Sequence, residues 1–129
     1  MSCPPVIVFV CEHGAAKSIL AAAYFNRLAS EMRSEVRAIA RGTHPDQELS
    51  LQVVKGLTSD GLEPTESIPQ RLTEADLVCA QQIITFCELP AEIHTNLRVD
   101  RWDDVPPVSE NYEKARVAIL ERIRQILKP

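Results

Sequence analysis

No hydrophobic run in the 129 residues approaches the ~20 that a membrane-spanning helix needs, and no basic stretch precedes the apolar segment near the start. Neither a membrane anchor nor a secretory leader is expected. The four cysteines, Cys3, Cys11, Cys79 and Cys87, lack the paired Cys/His spacing of a zinc site, so no metal or other cofactor is expected. The formal net charge is only −4, and nothing in the chain points to nucleic acid. Repeats, linkers and low-complexity segments are also missing. What remains is one domain over residues 1–129, with 45% hydrophobic residues to build a core. A cytoplasmic location follows as an expectation, with the cysteines kept as thiols by a reducing compartment.

The informative stretch is Val6 to Ser18. Val6 to Val10 are apolar and mostly β-branched, the pattern of a strand buried on both faces of a parallel sheet. Such a strand delivers the next residues to the carboxyl edge of the sheet, where α/β proteins bind ligands. After Cys11, the run Gly14-Ala15-Ala16 has almost no side chain, so backbone N–H groups can close around an anion. Ser18 then stands at a helix start, ahead of Ile19 to Phe25, and the helix N-terminus adds partial positive charge to the same place. A thiol beside Lys17 in that field is favoured as thiolate, which makes Cys11 the candidate nucleophile. The loop residues Glu12, His13, Gly14, Ala15, Ala16, Lys17 and Ser18 are the candidate phosphate contacts, Glu12 and His13 through their amides. Lysine at a helix start is disfavoured by the dipole, and an anion bound there explains it.

Cys11 to Ser18 resembles the C-x5-R-S loop of the low-molecular-weight protein tyrosine phosphatases and of the related thiol-linked arsenate reductases. The likeness continues in Ala40 to Pro45, similar to the turn after that family's second strand. It extends to Glu74 to Val78, placed at the third strand, and to Trp102 to Pro107, a late active-site loop. The resemblance implies a three-layer α/β domain, with a four-stranded parallel sheet of order 2-1-3-4 and helices on both faces. It also implies a phosphatase acting on phosphate monoesters, including phosphotyrosine, through a cysteinyl-phosphate. In that scheme Cys11 attacks in line while the loop amides and Lys17 hold the equatorial oxygens.

Several positions depart from the family pattern. Its loop arginine falls on Lys17, its bracing asparagine on Gly14, and the aspartate of its Asp-Pro pair on Pro106. A lysine is a point charge rather than a planar fork, so it stabilises a transferring phosphoryl group less well. The general acid must then come from Asp103 or Asp104, and Asp104 is the candidate because it lies nearer the prolines. The reductase branch implies a different fate, in which Cys11 passes its oxidation to a resolving cysteine. Cys87 is the candidate, whereas Cys79 reads as core. A catalytically weakened oxyanion-binding protein is the third alternative.

Along the chain, helical spacing predicts a first helix from Ser18 to about Arg33 and a strand over Glu35 to Ala40. A second helix capped by Asp46 follows, then a surface loop from Glu63 to Gln70. Asp76 to Ala80 is predicted as the third strand, and Gln81 to Ala91 as a helix or loop broken by Pro90. A short strand over Leu97 to Val99 comes next, and a last helix opens at Ser109 and Glu110 and runs to about Leu127.

Overall fold

The computed structural model describes residues 4–93 and 95–127. Four strands, β1 (Val6–Cys11), β2 (Arg37–Gly42), β3 (Ala80–Thr85) and β4 (Arg98–Arg101), form one sheet of order β2-β1-β3-β4. All pairings are parallel, and β1 is flanked on both sides. Ile7 to Val10 are fully buried, as expected of a central strand with helices over both faces.

On one face, α1 (Lys17–Glu31), α2 (Leu51–Ser59) and α4 (Tyr112–Ile126) pack over Ile7 and Phe9. Ile19, Leu20 and Phe25 of α1, Leu57 of α2, and Ile119 and Ile123 of α4 fill this layer. The opposite face is thinner. There Val8, Val10 and Ile83 are covered by the short α3 (Glu74–Val78), through Leu77, and by Leu72, Leu89, Ile93 and Leu97.

The third-strand expectation is corrected. Glu74 to Val78 are helical because Thr73 and Asp76 form a reciprocal capping box at their start. The strand begins only at Ala80 and takes in Gln81 to Thr85, where a helix or loop was expected. Its polar opening conceals it: Gln81 is exposed, whereas Ile83, Ile84 and Thr85 are buried. Cys79 accordingly caps α3, half-buried and disulfide-bonded, so neither the core placement nor the thiol state expected of it holds. Cys3 lies outside the described residues. The second helix starts at Leu51 with Ser50 as its cap rather than at Asp46, and the last at Tyr112 with Asn111 as its cap. The fourth strand extends to Arg101.

One polar knot ties the three helices of the thicker layer. Asp60, at the C-terminus of α2, accepts hydrogen bonds from Tyr24 of α1 at 2.5 Å and from Tyr112 of α4 at 2.9 Å, and pairs with Arg116 at 3.4 Å. Burial pushes the Asp60 carboxyl up, but the tyrosine hydroxyls and Arg116 outweigh it and hold the group below its ordinary value. The folded state therefore takes up the Asp60 proton less readily than the unfolded chain. This contribution is present above about pH 4 and fades as pH falls through the lowered value. An Asp60→Ala variant is expected to lose about 2–3 kcal/mol at pH 7 by urea denaturation. The difference from wild type should shrink below about pH 4.

Candidate active site

Cys11 is the last residue of β1, at the carboxyl edge of the sheet between β2 and β3. It is 8% exposed, and its Sγ lies 3.0 Å from the Oγ of Ser18, which is fully buried. Ser18 is the second residue of α1, directly after the loop that Cys11 opens. The N-cap position belongs to Ala16, and no side chain caps this helix. The first-turn amides therefore have no side-chain acceptor, the condition under which a helix start receives an anion.

The loop is shaped by two glycines. Gly14 has φ +61°, a conformation that costs glycine little, and it packs directly against Gly42 at the end of β2. A second segment is stitched onto the loop through its backbone. Thr43 N–H donates to Cys11 O (3.2 Å), His44 to Glu12 O (2.7 Å), Asp46 to His13 O (3.0 Å) and Ser50 to Ala15 O (2.9 Å). These bonds occupy residues 43–50, and α2 begins only after them.

The result is a cavity of about 780 Å³ with Cys11 among its walls. Glu12, His13, Ala15, Ala16 and Lys17 line it from the loop, and residues 46–51 form a second wall. Phe86 and Cys87, just past β3, and Pro107 to Ser109 complete it. The site thus brings together Cys11, most of the expected loop contacts and Cys87. Gly14 and Ser18 stand behind the surface, Gly14 against Gly42 and Ser18 against the thiol.

The wall of residues 46–51 is not visible in the sequence, where Asp46 has the look of a helix cap. Phe86 is likewise missed, hidden by the misplaced third strand. Charge on the lining is mixed: Lys17 stands against Glu12, Asp46 and Glu48, and His13 Nδ1 sits 3.2 Å from Asp46.

Asp104 is not brought to this cavity. Its carboxylate pairs with Arg122 of α4, while Asp103 pairs with Arg101 at 2.6 Å. Trp102 is a packing residue: it is 6% exposed, with its ring 5.7 Å from Phe9 and 5.8 Å from Phe86. Arg122 also covers that ring, 5.5 Å from its centroid. An Asp104→Asn variant should accordingly keep kcat for p-nitrophenyl phosphate within about threefold of wild type. A general acid at that position would cost about 10²-fold or more.

No protein-family model and no curated protein matches this chain. Solved structures do. An arsenate reductase from Archaeoglobus fulgidus is 25% identical with a TM-score of 0.76, over 93% of this chain and 97% of that one. A thioredoxin-dependent arsenate reductase from Corynebacterium glutamicum is 22% identical with a TM-score of 0.80 over 95% of this chain. This chain spans 60% of that longer protein. A low-molecular-weight protein tyrosine phosphatase from T. tengcongensis is 19% identical with a TM-score of 0.66, over 93% and 98% of the two chains.

The chain has the low-molecular-weight phosphatase and arsenate reductase fold. Structures of both kinds share this fold with the chain. Among the described residues no helix is long and apolar enough to cross a membrane.

Proposed function

We propose that the cavity binds a tetrahedral oxyanion on the loop from Cys11 to Lys17 and that Cys11 attacks it, hydrolysing phosphate monoesters through a cysteinyl-phosphate. The observation that carries this reading is the Cys11–Ser18 pair at the start of an uncapped helix. The hydroxyl can donate to a thiolate, and the same thiol lines a cavity that admits substrate. Cys11 Sγ displaces the alcohol from phosphorus, and water then releases phosphate from the sulfur. Loop amides and the Lys17 ammonium take the equatorial oxygens.

With Asp104 engaged by Arg122, no aspartate of the 101–107 loop is at hand to protonate the leaving group. Hydrolysis should therefore depend steeply on the leaving group. The test is turnover of p-nitrophenyl phosphate beside phenyl phosphate, with calorimetric binding of inorganic phosphate. The reading predicts phosphate binding and a preference of about 10²-fold or more for the nitrophenyl ester. Phosphate binding without turnover of either ester would overturn the hydrolase.

Cys87 favours a second reading, arsenate reduction. The pairing Val10↔Thr85, continued by Phe86 N–H to Val10 O at 2.8 Å, leaves Cys87 one residue beyond the position across from Cys11. Both thiol residues line the same cavity, and Cys11 and Cys87 are free cysteines. Cys11 belongs to the core of one sheet face and Cys87 packs against that of the other, so closing the bond requires the Thr85–Cys87 turn to reorient. In this scheme Cys11 displaces water from arsenate, and the Cys87 thiolate attacks the Cys11 sulfur. Arsenite leaves with the electron pair, and an external dithiol reduces the resulting disulfide. Arsenate-dependent oxidation of a dithiol, lost in Cys87→Ser, is the outcome that would place this reading first.

A further inference from the structure

Lys17 reaches the cavity from the first turn of α1, where the helix dipole disfavours a cation. Three carboxylate residues line the same cavity, yet among the described residues none forms an ion pair with Lys17. What the ammonium meets is an aromatic face: Lys17 Nζ is 6.0 Å from the centroid of the Phe86 ring.

That ring is fixed from behind. Phe86 is 8% exposed, its N–H is bonded to β1, and its ring lies 6.4 Å from Phe9 at 21° and 5.8 Å from Trp102 at 80°. A rigid π-face turned to a cavity is a shallow electrostatic well for a cation. It also leaves the ammonium protons free for another acceptor, as a carboxylate would not.

We propose that Phe86 is a positioning residue for Lys17. Its face keeps the ammonium inside the cavity, and from there the ammonium takes an oxygen of the bound oxyanion. The proposal rests on the reading of Lys17 as an oxyanion ligand. A long lysine stem has many rotamers to lose on binding, more per hydrogen bond than the preorganised fork of an arginine. A ring that narrows those rotamers beforehand supplies part of what the fork would give.

The experiment is stepwise fluorination of Phe86, which preserves ring shape while draining the negative face, with the dissociation constant of inorganic phosphate measured by calorimetry. The same series is made in a Lys17→Met background. Phosphate affinity should fall progressively with fluorine number, by about three- to fivefold at the end of the series, with the trend abolished in Lys17→Met. A ring that merely supports the wall would give the same trend, or none, in both backgrounds, and either result overturns the proposal. If the parent protein binds phosphate and Lys17→Met binds it equally well, Lys17 is not a ligand and the proposal falls. Absence of phosphate binding in the parent protein would remove the oxyanion reading itself, and this inference with it.

Discussion

Replacing Cys11 by serine is expected to reduce p-nitrophenyl phosphate turnover by about 10³-fold or more while phosphate binding survives. The serine oxygen is smaller than the sulfur, so it fits without a clash, and it is a far weaker nucleophile near neutral pH. The thiol lies at the end of a strand with pairing on both sides and 3.0 Å from a buried hydroxyl, the position proposed for the nucleophile. Binding should persist because the proposed anion ligands are the loop amides and Lys17 rather than the sulfur. Calorimetric titration of the variant with phosphate separates the two effects. A variant that retains turnover would show that the nucleophile lies elsewhere.

A second large effect is expected from a residue that does not line the cavity. A Cβ at Gly42 would fall 2.7 Å from Gly14 N, and 2.9 Å from both Gly14 Cα and His13 C. All three are backbone atoms of the loop that follows Cys11, which cannot swing aside as a side chain could. Gly42→Ala must displace the loop, at a cost of about 1–3 kcal/mol in stability. Moving catalytic groups by about 1 Å costs on the order of 10²-fold in kcat/KM. Gly61→Ala is the control: its φ of +79° makes alanine strained, yet nothing lies within 4 Å of the new methyl. That variant should lose stability with phosphate affinity unchanged. Equal loss of affinity in the two variants would show that the Gly42 effect is general destabilisation.

The difference between these glycines shows what the sequence disclosed and what it withheld. Val6 to Lys17 was legible because every local signal agreed: a β-branched run, a cysteine, small residues and a helix start. Cys11 therefore lies where it was expected, at the cavity with most of its loop. The close approach of Gly14 to Gly42 is a contact between segments distant in sequence, and no local pattern encodes it. Residues 43–50 carry a plausible cap in Asp46, but the Ser50 N–H that would close the first turn on Asp46 O goes to Ala15 O instead, so tertiary bonding overrides helix propensity.

Asp76 and Gln81 misled for related reasons. Asp76 closes a capping box and also pairs with Arg41 at 3.0 Å, while Gln81 opens a strand whose buried half begins only at Ile83. Asp104 stands out in the sequence by its nearness to prolines, whereas its direction is set by Arg122, eighteen residues away. Loop side chains are aimed by partners that spacing does not reveal.

The measurement that bears most directly on the central claim is acid-quenched intact mass analysis during steady-state turnover of p-nitrophenyl phosphate, followed by peptide mapping. The account predicts one phosphoryl group per trapped chain, on the peptide containing Cys11 and absent from Cys11→Ser. Steady turnover with no trapped phosphoryl group, or one mapped to any other residue, would contradict it.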